Sequence, residues 1–152
     1  MEGPPLKISE ALAGVRTLFF DTAPIIYHVE LSPRYGAIVG PIFDRVSDGD
    51  IEAVTSRIAL AECLVQPYKK HDLELVERFR GFITRGRNTR CVGVDPVMEA
   101  AAELRARYNL SLTDALQVAA AVAEGCDAIL TNDIPLKRVK EIRIILVDDL
   151  EL

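Results

Sequence analysis

The sequence predicts a three-layer α/β domain, with a central, mostly parallel sheet covered by helices on both faces. Three observations predict it. Short apolar runs that read as buried strands alternate with helical patterns along the whole chain. Helix-start and helix-stop residues punctuate that alternation. The interior is aliphatic, since 49% of the 152 residues are hydrophobic, only 6% are aromatic and Trp is absent. A chain of this length can bury a substantial core in one domain.

Thr17–Asp21 reads as the first strand, and Thr22-Ala23-Pro24 opens a helix because proline is tolerated in a first turn. That helix covers Ile25–Glu30 and ends near Ser32-Pro33. Tyr35–Val46 is helical in pattern, with a break or kink expected at Gly40-Pro41. Ile51–Thr55 is the second strand, and Ser56 caps a helix Ile58–Val65 that Pro67 should stop. Leu73, Val76, Phe79 and Ile83 give Asp72–Thr84 an apolar stripe at helical spacing. Cys91–Val94 is the third strand, and Asp95-Pro96 reads as an N-cap and first turn for a helix to Tyr108. The alanine-rich Thr113–Glu124 follows, closed by Gly125. Ala128–Thr131 and Arg143–Val147 are the last strands, with a short helix Ile134–Lys140 between them. Residues 1–16 form an N-terminal extension or helix, and residues 17–150 the single domain.

The formal net charge of −5 gives no general field for nucleic acid. Between Gln66 and Arg90, however, seven basic residues stand against three acids. A solvated helix and loop explains that bias, and so does a phosphate-contacting surface, for which Lys69, Lys70, Arg85 and Arg87 are the candidates. Three cysteines without CxxC spacing fit buried reduced thiols better than zinc or disulfides. No apolar run is long enough to cross a bilayer, and residues 1–16 lack the apolar stretch of a signal peptide. The expected location is the cytoplasm, with no membrane contact.

Four acids occupy places where such a domain converges its ligand-binding loops. Asp21 ends a strand and Asp133 lies just beyond another, so both belong on one rim of the sheet. Asp114 opens a helix that is apolar nearly all round, so its start is expected against the sheet. Glu62 is the sole charge in Ile58–Val65, and an exposed helical Glu is the less favoured reading. Simple roles compete: an N-cap for Asp21, a first-turn acid for Asp114, a turn residue for Asp133. Other acids have structural explanations, with Asp95 as a cap, Asp127 in a turn and Asp148-Asp149 solvated. Clustered carboxylates repel, and Mg²⁺ or Mn²⁺ relieves that repulsion through all-oxygen ligation and can hold a phosphodiester for in-line attack. Nucleotide, dinucleotide and acyl-transfer motifs are lacking.

Phe20-Asp21-Thr22 with Ile26-Tyr27, Thr55-Ser56 before Ala61-Glu62, Leu104-Arg105-Ala106 before Thr113-Asp114-Ala115, and Leu130-Thr131-Asn132-Asp133 occur in an order and spacing that resemble the PIN-domain ribonucleases. The likeness is greatest to the single-domain toxins of VapBC-type toxin–antitoxin pairs, and it runs from about Leu18 to Val147. It implies that Asp21, Glu62, Asp114 and Asp133 form a site for Mg²⁺ or Mn²⁺, supported by Thr22, Thr131 and Asn132. It implies endonucleolytic cleavage of RNA, a homodimer, and silencing by a cognate antitoxin protein at the acidic groove. One departure is visible: Ile134-Pro135-Leu136 stand where the family often carries a further acid and an aromatic. A PIN-fold RNA- or protein-binding module with little or no catalysis is the alternative. A phosphatase or receiver domain is a third reading, disfavoured because the first strand lacks the DxDx[TV] pattern.

Overall fold

The computed structural model describes residues 3–152. Five parallel strands form the central sheet: β2 (Thr17–Phe20), β3 (Glu52–Ser56), β4 (Thr89–Val92), β5 (Ala128–Thr131) and β6 (Arg143–Leu146), in the spatial order β4-β3-β2-β5-β6. Two further strands, β1 (Leu6–Lys7) and β7 (Leu150–Glu151), pair with each other in parallel and tie the two ends of the chain together. β1 leads directly into a four-residue helix, α1 (Ile8–Ala11), that buries Ile8 and Ala11.

Alternate residues of β2 divide the interior into two cores, as the period of two in a strand requires. Leu18 and Phe20 face α2 (Thr22–Val29), α3 (Gly36–Ser47), α4 (Arg57–Lys69) and α5 (Leu73–Arg85). Phe19 faces the other way, toward α6 (Met98–Tyr108) and α7 (Leu112–Ala123). The sheet is therefore the middle of three layers, as the alternation of elements predicts.

The boundaries correct several expectations. α3 runs unbroken through Pro41, and α4 through Pro67 to Lys69. Each proline forgoes its own N–H bond and crowds the carbonyl four residues earlier, yet the helix continues past it in both cases. Near the end of α4 the neighbouring carbonyls stay engaged, with Lys70 N–H bonded to Gln66 O and Asp72 N–H to Pro67 O. Asp95 makes no cap; it lies inside a 3-10 turn, Asp95–Val97, that precedes α6. The segment after Asp133 is likewise a 3-10 turn, Ile134–Arg138, in place of the expected helix to Lys140. Asp127 accepts backbone N–H bonds from Arg16 and Thr17 at 2.8 and 3.0 Å, which draws its pKa down and holds the entry to β2. Asp148 and Asp149 are not simply solvated: they pair with Arg34 and Lys137, and Asp148 also accepts from the Tyr35 hydroxyl.

Caps read from sequence hold where the side chain reaches its amide. Ser56 accepts from Ala59 N–H; α6 closes instead through the backbone of Asn109, left-handed at φ 54°, a conformation that asparagine tolerates. His28 is packed, its ring 4.4 Å from that of Phe43, and burial lowers its pKa. Cys63 is buried, Cys91 and Cys126 are partly buried, and all three are free thiols, with Cys63 and Cys126 pushed up to about 12, chiefly by burial. Among the described residues, no helix is long and apolar enough to cross a membrane.

Candidate active site

The strand order changes direction between β2 and β5, and the carboxyl ends of those two strands flank a crevice of the kind that binds ligands in open α/β sheets. Asp21 stands at the end of β2, with its own N–H bonded to Leu130 O of β5. It is only 7% exposed, which is expensive for a carboxylate unless donors surround it. Three do: Thr22 N–H and the Gln117 carboxamide donate to Oδ1 at 2.8 and 2.7 Å, and the Thr131 hydroxyl donates to Oδ2 at 2.6 Å. Burial nevertheless raises its pKa, and the nearby charges of Glu62 and Asp133 add to the rise.

Asp133 follows β5, held by its N–H bond to the Thr131 hydroxyl. Asp114 sits in the first turn of α7, where Ser111 caps the helix by accepting from Asp114 N–H. Partial burial and the adjacent Asp133 carboxylate push Asp114 up to about 7, with Asp21 contributing in the same direction. Two sequence expectations need correcting. α7 begins in solvent, its apolar burial starting at Ala115, and Asp114 is half-buried. Glu62 is exposed on α4 and reaches the crevice through Thr22, whose hydroxyl donates to Oε1 at 2.7 Å.

These acids feel one another's charge, and none of them belongs to an ion pair among the described residues. Among those residues, too, no group of three or more His, Cys, Asp or Glu side chains is placed closely enough to hold a metal ion as it stands. The donor set is hard, anionic and all-oxygen, which suits Mg²⁺ or Mn²⁺ and argues against zinc or copper. Asp21, Glu62, Asp114 and Asp133 are the residues that would hold such an ion.

The other expected residues divide. Thr22 and Thr131 touch carboxylates. Asn132 turns elsewhere, donating to the Tyr27 hydroxyl at 3.1 Å and accepting from Asp148 N–H at 3.0 Å. Arg85 and Arg87 lie just before Thr89, which pairs with Ala53 near the start of β3, so they belong to the rim opposite the acids. Lys69 and Lys70 are seven and eight residues beyond Glu62, about 10 Å further along α4. Within the same basic stretch, Arg78 donates to Val29 O, Arg80 pairs with Glu77, and Arg90 pairs with Glu52 and Glu124.

Sequence reading missed Gln117. It is 2% exposed, and besides Asp21 it bonds to Ser56 and Thr22. The signal was present: Gln117 is the one polar side chain in the apolar run Ala115–Ala121, one turn after Asp114.

A titration follows from Asp114. Its folded pKa is raised, so its contribution to stability is full below about pH 4 and is lost as pH rises toward about 7. In EDTA, the urea midpoint of the wild type is expected to fall over that window relative to Asp114→Asn, which has no proton to lose. Parallel curves for the two proteins would show that the carboxylate is not perturbed.

The family model for the PIN domain matches residues 18–142, which takes in all four acids and every strand that positions them. The chain belongs to the PIN-domain family. No curated protein sequence matches it. Its PIN domain superposes on solved structures that show the same fold at low identity. VapBC2 from Rickettsia felis, bound to a DNA fragment from its promoter, is 18% identical with a TM-score of 0.68, over 86% of this chain and 98% of that one. DNA-bound VapBC from Salmonella typhimurium is 20% identical with a TM-score of 0.64, over 87% and 98%. VapC20 from Mycobacterium tuberculosis, a sarcin-ricin loop cleaving toxin, is 16% identical with a TM-score of 0.60, over 74% and 86%.

Proposed function

We propose that this PIN-domain protein is a Mg²⁺- or Mn²⁺-dependent endoribonuclease, the toxin of a toxin–antitoxin pair, acting in the cytoplasm. The feature that carries the reading is the rim at the carboxyl ends of β2 and β5, where Asp21, Glu62, Asp114 and Asp133 lie close enough to feel one another's charge and none forms an ion pair among the described residues. Asp21, Asp114 and Asp133 are the proposed direct ligands. Glu62 ligates directly or through water, or orients the attacking water. When bound, the ion supplies positive charge to the phosphodiester and to the water that attacks it. The protein's part is positional: Thr131 and Thr22 N–H hold Asp21, the Thr22 hydroxyl holds Glu62, and the Thr131 hydroxyl anchors the turn that presents Asp133.

The proposed partners are the RNA substrate, a cognate antitoxin and a second copy of the chain. Large apolar side chains stay exposed on the packed helices α4 and α5, with Val65 and Tyr68 at 48% and Leu73 at 65%; an antitoxin segment would cover such a surface. That VapBC assemblies appear among the matched folds agrees with this.

Purified protein is expected to cut a panel of single-stranded and structured RNAs with Mn²⁺ or Mg²⁺ and to stop in EDTA, read on denaturing gels. Cleavage that continues in EDTA would sink the metal requirement. RNA that is bound but left whole with either ion would favour the binding-module alternative.

A further inference from the structure

Gln117 is the branch point of a directional chain of hydrogen bonds that begins outside the acid cluster. Ser56, fully buried at the end of β3, accepts the capping bond from Ala59 N–H at 3.2 Å. Its single proton then goes to Gln117 Oε1 at 2.7 Å. This determines which way the carboxamide points, because a flipped amide would set Oε1 against the Asp21 carboxylate, acceptor against acceptor. With Oε1 occupied by Ser56, Nε2 gives one proton to Asp21 Oδ1 at 2.7 Å and the other to Thr22 Oγ1 at 3.3 Å. Thr22, thus supplied, has its own proton free for Glu62 Oε1.

The lone pairs of Asp21 can then be counted. Oδ1 accepts from Thr22 N–H and from Gln117, which fills it. Oδ2 accepts from Thr131 and has one lone pair left. Thr131 in turn accepts from Asp133 N–H, so its proton stays directed at Asp21. A buried glutamine with every bond committed could be no more than a satisfied core residue. Two of its bonds, however, go to groups that hold separate members of the acid cluster, Asp21 directly and Glu62 through Thr22.

We propose that Gln117 is a positioning residue of the acidic centre, restricting Asp21 to single-oxygen ligation through Oδ2 and setting the place of Glu62 through Thr22. The inference rests on the metal-dependent reading above. Residues that orient a ligating carboxylate tune its metal affinity without touching the ion.

The test is Gln117→Met, which keeps length and loses both donors, with Mn²⁺ titrated calorimetrically in the absence of RNA. Binding is expected to weaken about 10- to 100-fold. Cleavage should recover as Mn²⁺ is raised, because the ligands themselves are intact. Ser56→Ala leaves the carboxamide but removes the group that orients it. Its smaller loss in the same direction should vanish in the Gln117→Met background. Mn²⁺ affinity within twofold of wild type in a cooperatively folded Gln117→Met protein overturns the proposal. Should Gln117→Met not fold, Ser56→Ala decides on the same measurement. Should the wild type itself take up no Mn²⁺, the metal reading has failed and the positioning role falls with it, an outcome distinct from a Gln117→Met protein that binds Mn²⁺ as the wild type does.

Discussion

Replacing Asp21 with Asn is expected to lower RNA cleavage by about three orders of magnitude while leaving the protein folded. A metal-bound phosphodiester gains several kcal/mol of charge stabilisation, and each ~1.4 kcal/mol lost is about tenfold in rate. Asp21 is the one acid of the four that is fixed on every side, so the others have no substitute for it. The fold should tolerate the change because the amide oxygen can take over the bonds from Thr22 N–H and Gln117. The amide nitrogen then meets the Thr131 hydroxyl, which has to turn, at a cost of about 1 kcal/mol. Against that, a neutral side chain removes a buried charge disfavoured by Glu62 and Asp133. In EDTA the melting temperature should stay within a few degrees of wild type. Asp21→Ala is a different experiment, since it orphans buried donors on Gln117 and Thr131 and should melt clearly lower. Undiminished cleavage by the Asn variant would mean that the acids are misassigned or that a contaminating nuclease did the cutting.

What was legible in the chain was whatever depends on local pattern. Buried strands announce themselves as apolar runs, and right-handed crossovers put their carboxyl ends on one rim, which is how Asp21 and Asp133 could be placed on the same rim from sequence, although not as neighbours. Pro67 did not stop α4, and Pro41 did not break α3, because the packing of each helix against the sheet holds it together past the lost bond. Glu62 misled because α4 carries apolar residues on its exposed side as well, so apolar neighbours did not mean burial. The basic stretch from Gln66 to Arg90 could not be assigned to a rim until the register of β4 on β3 placed Arg85 and Arg87 opposite the acids. Asn132, grouped with the site by resemblance, supports the stacked Tyr27–Tyr35 pair and the turn at Asp148. Gln117 stood out locally, but its partners Ser56 and Asp21 are 61 and 96 residues away, and no local pattern shows which distant groups a buried amide will meet.

Phe20→Ala is expected to bring the protein close to unfolding, and it tests how far the site depends on the core beneath it. Phe20 is 1% exposed at the last position of β2 and stacks on Phe43 with ring centroids 4.5 Å apart. Removing a buried phenyl ring costs about 3–5 kcal/mol, with roughly 0.5–1.5 more where an aromatic pair is broken. A domain of this kind has only about 5–15 kcal/mol in total. At roughly 2–4 °C per kcal/mol, the melting temperature should drop by about 10 °C or more. The backbone at Phe20 does further work, since its carbonyl accepts from the buried Thr55 hydroxyl at 2.8 Å, tying β2 to β3 one residue before Asp21. A void on the α2–α5 side of β2 therefore loosens the strand end that aims the carboxylate. Phe20→Leu fills most of the space and should recover most of the stability. If Phe20→Ala melts within a few degrees of wild type, the β2 core is not the support of the site. If it melts low but cuts RNA at the wild-type rate below its transition, the carboxylate is held by its own hydrogen bonds alone.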